Sequence, residues 1–207
     1  MNTELFKDKS IEEFTDLLAG RESVPGGGGA SALCGALGIA LGSMVGEFTS
    51  GKAKYAEHEE DIRALMKRAE ELRKEAVALV DGDAEAFIPL ARAYSIPKDD
   101  PEREEILEKC LRDAAEVPLR LFDLTAEALD IMEEFARKGS RMIVSDAATG
   151  AAILGGALRG AAVNVRVNTR LMKDREYASE IEAHIDGKLE EYSMKAEDVF
   201  HSIYDKF

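Results

Sequence analysis

Two aspartates, Asp81 and Asp83, sit in an otherwise apolar stretch, with Ala78-Leu79-Val80 before them and Ala84, Ala86 and Phe87 after. A carboxylate in such surroundings is partly desolvated, which raises its pKa and suits it to proton transfer. The bland use of the same residues is to cap a helix that restarts at Ala84. A second feature is the run Pro25-Gly26-Gly27-Gly28-Gly29-Ala30-Ser31. Four successive glycines cost backbone entropy, so their use implies a backbone geometry or a close approach that side chains would forbid. They lie at a helix N-terminus, where free N–H groups and the helix dipole attract anions or carbonyl oxygens. Third, Asn164 and Asn168 extend a row of small residues. Two amides emerging from a closely packed face need partners, either polar core groups or a ligand with donors and acceptors. Arg166 and Arg170 form an i,i+4 pair on a neighbouring face, able to meet a carboxylate.

Other constellations are weaker. Gly46-Glu47-Phe48-Thr49-Ser50-Gly51-Lys52-Ala53 begins as a phosphate-binding loop, but Ala53 stands where a magnesium-binding hydroxyl is required. Lys52 remains of interest as a positive charge at the end of an apolar helix, where the helix dipole favours it. His58, His184 and His201 have no metal-ligand spacing, and no Ser–His–Asp or Cys–His arrangement is supported.

The elements that must position these residues read as helices. Ser10 and Glu13 make a capping box ahead of the stripe Ile11, Phe14, Leu17 and Leu18, and Gly20 stops it. After a Pro25–Gly29 loop, a helix from Ala30 carries Ala30, Cys34, Gly38, Gly42 and Gly46 in one row beside Leu33, Leu37, Leu41, Met44 and Phe48. Such a row lets another backbone approach closely, at about 1 kcal/mol of helix propensity per glycine. The spacing predicts a helix over Tyr55–Val80, interrupted or bent at Asp81-Gly82-Asp83 and continuing over Ala84–Tyr94 with a kink at Pro89. Asp100 and Pro101 fit the N-cap and first position of a long helix, Glu102–Lys138, bent at Pro118 and ended by Gly139. Asp146 is expected to cap a second small-residue helix with the row Ala148, Ala152, Gly156 and Gly160, running on to Asn164 and Asn168. Ala162–Asn168 also alternates like a strand. Asp174–Lys206 closes the chain as an amphipathic helix.

The expected fold is therefore all-α, one domain over residues 1–207, built as an up-and-down bundle of long bent helices. The 27 basic and 41 acidic residues give a net charge of −14, which disfavours general binding to nucleic acid or anionic membrane. Ser23–Gly46 is a 24-residue stretch without charge, yet its eight glycines and its Pro25 favour a buried helix over a membrane span. The charged N-terminus has no apolar signal region, and Cys34 and Cys110 read as free thiols, so a cytoplasmic location is expected. The two small-residue helices point to intimate packing, with a two-fold dimer in view.

In this order and at these distances, several segments together are specific. They are Pro25-Gly26-Gly27-Gly28, Met44-Val45 with Thr49 and Gly51-Lys52, Leu79 to Phe87, Ser95-Ile96-Pro97-Lys98, Val117-Pro118-Leu119, Ser145-Asp146 and Gly160 to Asn168. They resemble the cyclodeaminase/cyclohydrolase family of folate enzymes, and the resemblance covers nearly the whole chain. It implies an all-helical homodimer acting on a tetrahydrofolate substrate, with no metal and no other cofactor. It points to Asp83 as the acid/base residue, with Asp81 second. It places Pro25, Gly26, Gly27, Gly28, Lys52, Ser145, Asp146, Asn164 and Asn168 near the folate. The implied reaction is hydrolysis of methenyltetrahydrofolate to 10-formyltetrahydrofolate, with formiminotetrahydrofolate cyclodeamination as the alternative. The chain departs from the family pattern at Gly29, Ser140 and Thr169, which keeps a non-catalytic folate-binding dimer in view.

Overall fold

The computed structural model describes residues 5–207; the start of the chain, up to Glu4, lies outside the described residues. Six α-helices follow one another: α1 (Ile11–Ala19), α2 (Gly27–Glu47), α3 (Glu59–Ala93), α4 (Arg103–Lys138), α5 (Val144–Thr169) and α6 (Arg175–Tyr204). Short 3-10 turns precede α1 (Phe6–Asp8) and α3 (Ala53–His58), and no strand occurs among the described residues. The alternation over Ala162–Asn168 is thus helical, because three of its positions face the α5 core side: Ala162 and Val165 are buried and Asn164 half-buried.

Local signals set the ends. Ser10 Oγ accepts from the Glu13 N–H at 3.1 Å, and Glu13 Oε2 accepts from the Ser10 N–H at 2.9 Å, completing the capping box of α1. Asp174 Oδ1 accepts from the Tyr177 N–H at 3.1 Å and starts α6. Gly20 and Gly139 lie just past α1 and α4. Elsewhere the boundaries differ from expectation by a turn or less. The first turn of α2 already includes Gly27, Gly28 and Gly29, so these glycines are helical rather than a loop. α4 begins at Arg103 after a turn in which Asp100 Oδ1 accepts from the Glu102 N–H. Asp146 lies inside the first turn of α5 and is not its cap.

The largest correction concerns α3. It runs unbroken through Asp81-Gly82-Asp83 and past Pro89, so neither aspartate caps a restarting helix. Tertiary packing holds Gly82 in helix despite its poor propensity, since helical stability in proteins comes mainly from the packed face. Val80, Asp81 and Ala84 are buried on either side of it.

Helices α2 to α5 form a closed up-and-down four-helix bundle, with α6 added against α5 and α4. α4 is its spine: Leu121, Phe122, Leu124, Leu129, Met132 and Phe135 are fully buried among Ile62 and Leu72 of α3 and Leu154 and Leu158 of α5. α2 and α5 run antiparallel and nearly touch. A Cβ on Gly38 would stand 3.1 Å from the Gly150 carbonyl oxygen, and one on Gly150 would stand 3.0 Å from that of Gly38. The four-residue row expected on α2 does not hold one face. At about 100° per residue it drifts roughly 40° per step, so Cys34 is exposed whereas Gly38, Gly42 and Gly46 are buried. The face of larger residues points outward, with Leu37, Met44 and Phe48 exposed.

α2 is also long and apolar enough to cross a membrane, and half of its most apolar stretch is buried within the bundle. Cys34 and Cys110 are free thiols.

Candidate active site

At one end of the bundle the start of α2, the last third of α3, the first half of α4 and the end of α5 converge on a cleft of about 210 Å³. Gly26, Gly27 and Gly28 form one wall, Asn164, Val167 and Asn168 another, and Asp83 and Phe87 a third. The glycines are there for close approach. A Cβ on Gly28 would fall 2.0 Å from Asp83 Oδ1, so only glycine leaves room for that carboxylate. The next residue supplies its anchor: the Gly29 N–H, free in the first turn of α2, donates to Asp83 Oδ2 at 3.0 Å.

Burial raises the pKa of Asp83 above its ordinary value, and the Gly29 N–H offsets only part of that effect. No basic side chain hydrogen-bonds or ion-pairs with it among the described residues. A carboxyl so placed can take up and release a proton nearer to neutral pH than an exposed aspartate would.

The asparagines bring acceptors. Asn164 Nδ2 donates to the Gly160 carbonyl at 2.8 Å, one turn back on α5. Asn168 Nδ2 donates to the carbonyls of Ala114 (3.0 Å) and Asn164 (3.1 Å), tying α5 to α4. Asn168 spends both of its N–H groups on backbone carbonyls and Asn164 one of its two, so each side chain keeps its carbonyl oxygen and Asn164 also keeps one N–H. The site is therefore one partly desolvated carboxylate and two amide oxygens around a glycine wall, with Phe87 and Val167 as apolar surface. It suits a flat ligand with hydrogen-bond donors on its edge and positive charge near Asp83.

Asp81 is elsewhere. Two residues along a helix turn the side chain by about 200°, and Asp81 is buried on that other side, where its Oδ1 accepts from the Phe6 N–H at 2.6 Å. Pro25 is buried behind the glycine wall. Lys52, Ser145 and Asp146 lie at the opposite end of the bundle, Lys52 beyond α2 and the other two in the first turn of α5. The 21 residues of α2 put roughly 30 Å between that end and the cleft. Phe87, one turn after Asp83, was detectable from its i,i+4 spacing. Ser23, Ala114 and Val167, which also line the cleft, carry no chemical signal in the sequence.

Residues 10–187 match the formiminotransferase-cyclodeaminase family. The methenyltetrahydrofolate cyclohydrolase of Methylorubrum extorquens is 36% identical over 203 residues, covering 96% of this chain and 98% of that protein. The formimidoyltransferase-cyclodeaminase of Rattus norvegicus is 31% identical over 95% of this chain, which spans 37% of that longer protein. Among solved structures, the formiminotetrahydrofolate cyclodeaminase of Thermotoga maritima superposes with a TM-score of 0.84 at 26% identity, over 96% of this chain and 98% of the other. Family match, near-complete relative and superposition agree: this chain belongs to the formiminotransferase-cyclodeaminase family.

Proposed function

We propose that the protein is a methenyltetrahydrofolate cyclohydrolase whose reaction runs in the Asp83 cleft. The observation that carries the reading is a desolvated carboxylate anchored by the Gly29 N–H against a wall that only glycine permits. The cyclohydrolase relative, matched over nearly the full length of both chains, supports the choice of reaction.

The substrate carries a cationic one-carbon bridge between two folate nitrogens. Asp83 as carboxylate stabilises that cation and takes a proton from the attacking water as its oxygen bonds to the bridge carbon. The same carboxyl returns the proton to one bridge nitrogen as the carbon–nitrogen bond breaks. The hydroxyl proton of the adduct leaves to solvent, and the N-formyl product remains. The Asn164 and Asn168 carbonyl oxygens accept from the donor edge of the pterin, and the glycine wall lets the ring lie against backbone. No metal and no cofactor besides the folate enters this scheme.

Cyclodeamination is the second reading, favoured by the superposition on the Thermotoga maritima cyclodeaminase. Following the absorbance of methenyltetrahydrofolate separates the two. Enzyme-dependent loss well above the spontaneous rate is the expected result. Ammonia release from formiminotetrahydrofolate without accelerated hydrolysis would reverse the order, and folate binding with neither reaction would leave a binding protein.

A homodimer is part of the reading. α2 carries no charge from Gly27 to Gly46, and with the adjoining face of α5 it presents an apolar strip along the bundle. Leu37 in its middle is 52% exposed and Val163 is 62% exposed. Contiguous apolar surface of this kind marks an interface. A two-fold axis through the middle of the strip brings opposite ends together, so Lys52, Ser145 and Asp146 of the partner subunit would approach the cleft. Leu37→Glu is expected to give a monomer by sedimentation and to lower turnover by at least tenfold. A monomeric wild type, or a monomeric and fully active variant, would remove the dimer from the mechanism.

A further inference from the structure

The turn of α3 that carries Asp83 is held from both sides. On the cleft side the Gly29 N–H donates to Asp83 Oδ2 at 3.0 Å. On the far side Asp81, which the mechanism does not use, is only 7% exposed, and its Oδ1 accepts from the Phe6 N–H at 2.6 Å. Phe6 opens the 3-10 turn Phe6–Asp8, and its ring packs on the main core cluster. That turn lies as a strap against the back of α3.

Stability alone does not account for Asp81. Its Oδ2 is buried with no hydrogen-bond partner among the described residues. A buried carboxyl half supplied with donors costs more than an apolar side chain of similar size would. The helix around it does need outside support. Gly82 is a poor helix former, and Pro89 deprives α3 of the bond to the carbonyl four residues earlier. A shift of about 1 Å in a catalytic carboxyl can cost 10²-fold in rate, so the path of this stretch matters.

We propose that Asp81 is a positioning residue: by binding the Phe6 N–H it clamps the turn of α3 that presents Asp83 to the substrate. The inference rests on the reading of Asp83 as the acid/base group and adds how its placement is maintained. Asp81 faces away from the cleft, and the glycine and asparagine walls belong to α2 and α5. Loss of the clamp therefore lowers kcat and leaves KM nearly unchanged.

Proline at position 6 isolates the hydrogen bond. It removes the N–H yet suits the first position of a helical turn, and Leu5 before it is already extended, with ψ 145°. Phe6→Ala loses the same ring and keeps the N–H. For methenyltetrahydrofolate, kcat is expected to be about tenfold lower in Phe6→Pro than in Phe6→Ala, at similar KM. In an Asp81→Ala background the two should match, as coupling through one contact requires. Asp81→Asn, which keeps an acceptor for the N–H, is expected to retain most of the turnover. Equal kcat for Phe6→Pro and Phe6→Ala, or a gap that persists without Asp81, would overturn the clamp while leaving Asp83 in its role. A loss in Asp81→Asn as deep as that in Asp83→Asn would also overturn it, by making Asp81 an acid/base group. A second readout needs no turnover. The Gly29 amide, held by Asp83, should exchange its hydrogen about tenfold faster in Phe6→Pro than in Phe6→Ala. A wild type without turnover would end the cyclohydrolase reading, and the exchange ratio would then decide the clamp: about ten supports it, and near one overturns it.

Discussion

Replacing Asp83 by Asn is expected to lower turnover of methenyltetrahydrofolate by about 10²- to 10⁴-fold, the span usual for loss of a positioned acid/base group. The substitution keeps the shape of the side chain and an oxygen for the Gly29 N–H, now 3.0 Å from Asp83 Oδ2, so the glycine wall should stand. The loss should therefore fall on kcat more than on KM.

The same substitution should make the protein more stable at neutral pH. Burial raises the pKa of Asp83 in the folded chain above its unfolded value. Such a group favours the fold below the unfolded pKa, and the benefit is lost as pH rises through the folded one. At pH 7 the ionised carboxylate weighs against folding, and Asn removes that cost. The thermal midpoint of Asp83→Asn should exceed that of the wild type at pH 7, and the gap should close below about pH 4. Loss of activity together with a gain in stability separates a catalytic group from a structural one. A variant that is both active and unshifted in midpoint would remove Asp83 from the mechanism.

Asp81 shows why the site was only half legible in sequence. Both aspartates share the same apolar neighbourhood, and Gly82 between them reads as a break that hides the helix phase. The continuous α3 fixes that phase and turns one carboxylate to the cleft and the other to the Phe6 N–H. That partner is 75 residues away and leaves no local trace. The capping box of α1 was legible because both halves lie within one turn. The small-residue rows correctly signalled close packing, but a four-residue row drifts around a helix, so it could not tell Gly38, packed on α5, from the exposed Cys34. Lys52 is far from the cleft of its own subunit for a geometric reason. A helix that runs from the glycine wall to Glu47 carries whatever follows it to the opposite end of the bundle.

Gly28→Ala should cost nearly as much activity as Asp83→Asn, although it adds one methyl group and removes no chemistry. The new Cβ would fall 2.0 Å from Oδ1, 2.4 Å from Cγ and 2.7 Å from Oδ2 of Asp83. These are the whole carboxylate, on a side chain of only two torsions, so relief requires Asp83 to swing away or α2 and α3 to part. Swinging breaks the Gly29 N–H anchor, and a displacement of about 1 Å in a catalytic group can cost 10²-fold. In an Asp83→Ala background the clash is gone, so adding Gly28→Ala should change activity little further, a coupling expected only of groups in contact. Gly187→Ala on α6 controls for the glycine itself. Nothing lies within 4 Å of its Cβ, so it should show only the gain of about 1 kcal/mol that alanine brings to a helix. If Gly28→Ala instead keeps wild-type turnover, or if its cost adds fully to that of Asp83→Ala, the glycine wall does not position the carboxylate.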